Sequence, residues 1–186
     1  MNSNENTKLK IIEAGSDYPK LKRVIEIFKE AFPPNERTGD NDVSVYTKEN
    51  GFAFLVLEDE NEPVGLALLR DCGEDLFFFI NLAIAKEFRN KKYGTKALDI
   101  LQNEYFKGKV LFGCIEALLP EADNYEQRVS RLDFYKRNGW FLYDKVIDGD
   151  NFGKFHIIST NGDVEFEKLL SKIKMLFPGH AARVVG

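Results

Sequence analysis

Cysteine and histidine are scarce in this chain of 186 residues, which has two of each. Cys72 and Cys114 stand far apart, as do His156 and His180, so the short spacing of a zinc ligand set is missing. We therefore expect no metal site. Each cysteine lies alone in an apolar segment, which favours buried free thiols in a reducing compartment over a disulfide framework.

Long apolar runs are also missing from the sequence. A membrane-spanning helix needs about 20 consecutive apolar residues, and no segment approaches that length. The first eight residues, MNSNENTK, are polar and lack the apolar core of a secretory signal. We expect a cytoplasmic protein without a membrane partner, in which residues 1–8 form a disordered tail.

Positive charge is not in excess, because the net charge is −4 and the isoelectric point is about 5.4. A broad face that binds polyanions is excluded, so we expect no nucleic-acid partner, although a local basic pocket is compatible with this balance. Apolar residues make up 44% and charged residues 30% of the chain, as in ordinary folded proteins. We expect a single domain over residues 9–178 and a flexible tail over residues 179–186.

Hydrophobic periodicity predicts a mixed α/β fold. Apolar residues recur at helical spacing between Asp17 and Phe32, and the run LFFFINLAI (76–84) is typical of a strand covered on both faces. The remaining predicted elements are a hairpin over 51–69, a helix after residue 93, a strand over 110–118, a helix over 123–137, a hairpin over 140–160 and a helix over 166–177. The sequence contains no repeat.

A basic loop that contains glycine joins the strand at 76–84 to the next helix. Backbone N–H groups at a helix start have no internal partner, and the helix dipole adds partial positive charge there. Gly94 lets the backbone approach a phosphate oxygen, so the segment fits a pyrophosphate. The candidate ligands are Arg89, Asn90, Lys91, Lys92, Tyr93, Gly94 and Thr95. A solvated charged loop is the alternative, and neither a GxxxxGK[ST] nor a GxGxxG pattern is present.

Two segments of the chain resemble the GNAT N-acyltransferases. LAIAKEFRNKKYGTKAL is similar to that family's strand, Arg/Gln-x-x-Gly-x-Gly/Ala loop and helix, with Arg89, Gly94 and Thr95 in place and Lys92 where the first glycine usually stands. FYKRNGW (134–140) resembles the end of the family's last conserved helix. The order of elements agrees with the family from about residue 9 to residue 177.

The resemblance implies an α/β fold whose central sheet is mixed, mostly antiparallel, of about seven strands, splayed in the middle and flanked by helices. It also implies acetyl-CoA as co-substrate, without a metal, and direct transfer of the acetyl group to a primary amine in a ternary complex. In the family, backbone groups of the strand that corresponds to residues 76–84 bind the pantetheine arm of the co-substrate. Here those groups belong to Leu82, Ala83 and Ile84.

Catalytic roles also follow from the resemblance. Tyr135 falls on the position of the general acid that protonates the departing thiolate, and a phenol stays protonated at neutral pH. If the resemblance is set aside, the alternative interpretation of Tyr135 is an aromatic residue of the core. Phe78 stands where some members carry a glutamate base, which makes Glu116, on the next strand, the best remaining carboxylate. A salt-bridge partner at a strand end is the alternative for Glu116.

Three further residues are weaker candidates for contact with a substrate. Glu36 follows the first helix, where a carboxylate would attract a cationic amine, although a solvated loop charge is the simpler interpretation. Asn81 lies in a very apolar run, where a buried amide needs a partner. Arg128 stands where many family members have an asparagine that binds pantetheine.

The acceptor is left open by the sequence. It is a small-molecule or peptide amine in the leading hypothesis, and the protein is a monomer or a homodimer. The alternative hypothesis is a non-catalytic module that binds CoA or a protein partner, since Lys92, Phe78 and Arg128 all depart from the family pattern. Binding of a nucleoside triphosphate is a third hypothesis. The sequence does not show the lysine and the magnesium-binding carboxylate that known nucleoside triphosphate sites use.

Overall fold

The structure, a computed structural model, describes residues 8–32, 46, 48, 50–150, 153–178 and 182–185. Its backbone contacts divide the chain into two compact units. The first unit takes the described residues up to Asp71 together with Ile80–Lys107. The second takes Cys72–Phe79 and the described residues from Gly108 onward. Each unit is therefore built from two separate stretches of chain.

In the first unit, strands β1 to β4 lie side by side in the sheet in the order of the sequence. They cover Lys10–Glu13 (β1), Phe52–Asp59 (β2), Glu62–Asp71 (β3) and the later part of Leu76–Ile84 (β4). Antiparallel pairing joins β1 to β2 and β2 to β3. The β2–β3 turn needs left-handed backbone at Glu60 (φ 51°) and Asn61 (φ 65°), as expected of a two-residue hairpin loop.

Helices cover both faces of this part of the sheet. Helix α1 (Leu21–Ala31) buries Val24, Ile27 and Phe28 against one face. Helix α2 (Tyr93–Ile100) buries Tyr93 and Ala97 against Leu57 and Val64 on the other. A 3-10 turn at Lys86–Phe88 precedes α2, and a π-helical turn at Leu101–Tyr105 extends it.

The second unit begins with the first residues of β4 and contains β5 (Val110–Glu116), β6 (Phe141–Asp148), β7 (Lys154–Ser159) and β8 (Arg183–Val185). The strand order is β4-β5-β7-β6-β8. The β4–β5 ladder is parallel, whereas the other pairs are antiparallel. The parallel ladder joins only the first three residues of each strand, up to Phe78 and Phe112, in agreement with the predicted splay.

Two helices complete the second unit. Helix α3 (Tyr125–Arg137) has a mostly polar surface and buries Leu132. Helix α4 (Phe166–Leu176) is strongly amphipathic and buries Phe166, Leu169, Leu170 and Ile173. Gly139 lies just beyond α3 with φ 82°, the left-handed conformation that favours glycine at a helix end.

The α/β class and the mixed, mostly antiparallel sheet are confirmed. The described residues hold eight strands rather than about seven, because Arg183–Val185, in the predicted tail, pairs with β6. The first helix begins at Leu21, since two successive turns occupy residues 15–21. The prediction of one domain over 9–178 stays a prediction, and residues 1–7 lie outside the described part of the chain.

Candidate functional site

The predicted phosphate loop follows β4 directly. The side chain of Arg89 donates from Nε to the carbonyl of Ile84 at 3.1 Å, which folds the loop back onto the end of the strand. Asn90 and Lys92 both have φ 63°. Lys92 therefore takes the left-handed conformation at the position where the family usually has glycine. The departure in sequence leaves a glycine-like backbone and adds a positive charge.

Helix α2 starts immediately after Lys92. The N–H of Lys96 donates to the carbonyl of Lys92 at 3.1 Å, so the N–H groups of Gly94 and Thr95 come before the first helical hydrogen bond. Lys91, Lys92 and Thr95 are exposed. The structure thus brings backbone donors, a helix N-terminus and cationic side chains into one short segment, which is the combination that binds phosphates.

Tyr93 differs from the neighbouring lysines of the loop because its side chain is buried. Its ring is buried, with 6% of its surface exposed, and lies 5.7 Å from the ring of Phe88. Its hydroxyl donates to Asp59 on β2. The Tyr93 side chain consequently anchors the start of α2 to the sheet. Sequence reasoning missed Asp59, because no local spacing connects it with the loop.

Leu82, Ala83 and Ile84 lie at the end of β4, next to the loop. Ala83 is buried, whereas Leu82, Ile84 and the preceding Asn81 are half-buried. The backbone of β3 approaches this segment closely, because a Cβ added at Gly65 would lie 2.3 Å from the carbonyl oxygen of Ala83. Only glycine fits at this point of β3.

A second set of candidate residues gathers at the end of α3, in the other unit. Beyond Gly139 the chain turns back, and the N–H of Trp140 donates to the carbonyl of Tyr135 at 3.1 Å. This turn places the Trp140 ring 5.1 Å from the Tyr135 ring and 5.5 Å from that of Phe79. The glycine of the FYKRNGW motif therefore serves to pack tryptophan on tyrosine.

The Tyr135 ring is half-buried and packs against the rings of Phe134 and Trp140. Burial raises the pKa of its phenol to about 12, and the nearby positive charge of Arg131 opposes this shift only in part. The phenol is a proton donor throughout the neutral range. Trp140 is 3% exposed, and its Nε1 has no hydrogen-bond acceptor among the described residues.

Glu116 lies at the end of β5 and is contacted by two side chains of α3 and by Asn124, the residue before that helix. Arg131 forms an ion pair with it, Arg128 Nε lies 3.7 Å from its Oε1, and Asn124 Nδ2 donates to the same oxygen at 3.2 Å. These contacts favour the charged carboxylate and so oppose its acceptance of a proton. The arrangement supports the salt-bridge alternative, and the catalytic role stays a prediction.

Arg128 is engaged with the protein on every side. It donates from Nε to Asn124 Oδ1 at 2.7 Å and from Nη1 to the carbonyl of Ala117 at 2.9 Å. The Asn124 side chain does not cap α3, because it is engaged with Arg128 and Glu116. A pantetheine contact from Arg128 requires rearrangement of this network. Sequence reasoning missed Arg131, although its spacing of four from Tyr135 placed both on one helix face.

Glu36 lies outside the described residues. Among the residues that are described, no three His, Cys, Asp or Glu side chains gather as a metal site requires. The described helices include none that is both long and apolar enough to cross a membrane.

The structural relatives share the fold. A GNAT-family protein from Bacteroides thetaiotaomicron, described as an acetyltransferase, superposes with a TM-score of 0.74 at 22% identity over 90% of this chain and 94% of its own. An aminoglycoside 6'-N-acetyltransferase complexed with coenzyme A gives 0.61 at 17% identity, over 81% and 95%. An acetyltransferase from Elizabethkingia anophelis with acetyl-CoA bound gives 0.58 at 13% identity, over 82% and 97%.

None of the curated proteins matches the sequence. The sequence profile of the acetyltransferase (GNAT) family matches residues 21–140. That range contains α1, β2 to β5, the loop before α2 and all of α3, and it ends at Trp140. The chain belongs to the acetyltransferase (GNAT) family.

Proposed function

We propose that the protein is an acetyl-CoA-dependent N-acetyltransferase that transfers the acetyl group directly to a primary amine. The observation that carries the proposal is Tyr135. A phenol, which is protonated at neutral pH, held by the turn at Gly139 and by contact with Trp140, is a proton donor suited to a departing thiolate. The acetyl-CoA and coenzyme A in the structural relatives support the choice of co-substrate.

The loop before α2 is proposed to bind the pyrophosphate of acetyl-CoA. The N–H groups of Gly94 and Thr95 and the charges of Lys91 and Lys92 supply the attraction. The extended arm binds the backbone of Leu82–Ile84 as a peptide binds a strand edge. Arg89 contributes by positioning the loop, because its side chain donates a hydrogen bond to the carbonyl of Ile84.

In the proposed reaction the acetyl group passes directly from the sulfur of CoA to the amine nitrogen. The amine nitrogen forms a bond to the thioester carbonyl carbon, and the bond from that carbon to sulfur breaks. Tyr135 gives its proton to the thiolate and is reprotonated from solvent. The proton that the amine loses passes through water, with Glu116 as the candidate acceptor once it leaves one of its arginine partners.

A non-catalytic module is the second candidate. The departures at Phe78 and Arg128 favour it, because Phe78 cannot act as a base and Arg128 is engaged with Ala117 and Asn124. A module of this kind would bind acetyl-CoA and release no free thiol with any amine. The protonated Tyr135 argues for catalysis.

Thermal unfolding with acetyl-CoA, ATP and NAD tests the proposal first. A ligand present at 100 times its Kd stabilises a protein by about 2.7 kcal/mol, which is a rise in Tm of roughly 5 to 10 °C for a chain of this size. We expect this rise with acetyl-CoA alone. Release of free CoA with a panel of amines then separates the enzyme from the non-catalytic module. The absence of any shift at millimolar acetyl-CoA overturns the proposal.

A further inference from the structure

A cavity of about 200 Å³ lies within the second unit. Its surface is almost entirely apolar, and it is lined by the strands of the sheet and by α4. The lining includes Phe78, Cys114, Ile147, Phe155, Ile173 and Phe177. The rings of Phe78 and Phe177 meet edge to face, with centroids 5.7 Å apart. An apolar cavity of about 150 Å³ is already large enough to bind benzene, so this one holds a single aromatic ring with room to spare.

Cys114 contributes a neutral thiol to the wall of the cavity. It was expected in the core, but its side chain has substantial accessible surface and faces the cavity. Protein atoms nevertheless enclose the thiol, and this burial raises its pKa to about 12. The thiol is therefore neutral, and it is not a nucleophile at neutral pH. Cys114 acts as one more apolar contact for whatever occupies the cavity.

The described lining of the cavity holds no negative charge that would bind a cation. Among the described residues that line it, Lys174 is the one charged side chain, and none is a carboxylate. An ammonium group inside the cavity would lose its hydration and meet a like charge. A polyamine or an aminoglycoside, with charges along its whole length, is thus a poor occupant, whereas an uncharged ring or branched chain is a good one.

Within the second unit, the cavity and Tyr135 lie on opposite faces of the sheet, at the level of Phe78 and Phe79 on β4. Phe78 and Phe79 are neighbours on β4 and so point to opposite faces of the sheet. Phe79 contacts Trp140, which packs on Tyr135, whereas Phe78 lines the cavity. The ladder between β4 and β5 ends at this level, at the pair Phe78 and Phe112.

We propose that this cavity binds the apolar side group of the acceptor, which is therefore a hydrophobic amine with a body about the size of one aromatic ring. The inference rests on the proposed acetyl transfer and narrows it. The proposal requires the amine nitrogen to stay outside the cavity and to reach the thioester from the Phe78 face of β4. Phe78, which replaces a base in this interpretation, forms part of the wall that recognises the acceptor.

The test compares two acceptors, 2-phenylethylamine and putrescine, in wild-type protein with saturating acetyl-CoA. Burial of one ring predicts that kcat/KM for 2-phenylethylamine exceeds that for putrescine by about 10- to 100-fold. Cys114→Leu narrows the cavity and should reduce this ratio by about tenfold. Cys72→Leu, at the other cysteine, is the matched control and should leave the ratio unchanged. Preference for putrescine, or equal effects of both variants, overturns the inference.

A crystal structure of the wild-type protein with 4-bromophenethylamine gives an answer that needs neither turnover nor a variant that folds. A bromine peak among Phe78, Phe155 and Phe177 supports the inference, and a peak elsewhere or no bound ligand overturns it. If acetyl-CoA stabilises the protein but putrescine is the better acceptor, the proposed function stands and this inference fails. If acetyl-CoA does not bind, the proposed function fails, and the bromine position still decides whether the cavity takes an apolar amine.

Discussion

The loop before α2 and the turn after α3 are constructed in opposite ways. Both reverse the chain through a left-handed residue, Lys92 in the first and Gly139 in the second. The loop exposes its cationic side chains and relies on backbone donors for its proposed function. The turn instead packs aromatic rings together and relies on one phenol, that of Tyr135.

The difference indicates which changes each region tolerates. A site made of backbone N–H groups depends on the conformation of the chain, so several side chains can replace one another there. A site made of one phenol depends on one oxygen atom and on the rings that hold it. We therefore expect substitutions in the loop to have small, graded effects and a substitution at Tyr135 to have a large one.

Tyr135→Phe should give the largest effect. It removes the proton donor and keeps the ring against Trp140, so kcat should fall by about 10²- to 10⁴-fold while acetyl-CoA still raises Tm. Steady-state release of CoA measures the first quantity and thermal unfolding the second. Tyr125→Phe, at the first residue of the same helix, is the control and should retain full activity. Full turnover by Tyr135→Phe would remove the phenol from the mechanism.

Gly139→Ala and Lys92→Gly test the two turns as a pair. Alanine at φ 82° is strained, so Gly139→Ala should lower the free energy of unfolding by about 1–2 kcal/mol. In Lys92→Gly the relief of strain is offset by the greater freedom of glycine in the unfolded chain, so the change should stay within about 0.5 kcal/mol. Urea denaturation measures both. Equal losses of stability would show that the two turns do not differ in this way.

Lys91→Gln should weaken acetyl-CoA binding modestly. An exposed ionic contact contributes about 0.2–1 kcal/mol, so Kd should rise by up to about fivefold, with kcat unchanged. The effect should shrink at high salt, because exposed charges are screened. Lys107→Gln is the control, since Lys107 is exposed elsewhere in the same unit. A fall in kcat with unchanged Kd would contradict a binding role for Lys91.

The pH dependence of kcat should show no loss of activity between pH 7 and 10. Tyr135 must be protonated to act as an acid, and its pKa of about 12 means that activity falls only as the pH rises through that value. Over the measured range the rate should rise or stay level as the amine loses its proton. A descending limb near pH 10, the ordinary pKa of a phenol, would mean that Tyr135 is not held in a buried environment.

Much of the fold was predictable because the signals are local. The strand at 76–84 was predicted with the bounds that the structure shows, since a continuous apolar run between turn residues has few alternatives. The glycine at 139 correctly marked the end of α3. Strand β8 was missed, because three residues pair only through contact with β6, which is remote in sequence.

The site was predictable in part for the same reason. Arg89 to Thr95 are contiguous, so their sequence already indicated a basic loop at a helix start. The left-handed backbone at Lys92 was not predictable, since lysine rarely adopts it and the neighbouring elements impose it. Cys114 was expected in the core because its neighbours on β5 are apolar, whereas the cavity that it faces arises from β4, β6, β7 and α4 together.

Strand β4 gives Leu76–Phe79 to one compact unit and Ile80–Ile84 to the other. A truncation after Lys107 therefore keeps the whole first unit but leaves Leu76–Phe78, which belong to the second, without β5. A single proteolytic cut in the described chain cannot separate the two units, because at least one of them has residues on both sides of any cut. Truncated proteins therefore cannot assign binding to one unit and catalysis to the other. Point substitutions in the full-length chain are the way to dissect this protein.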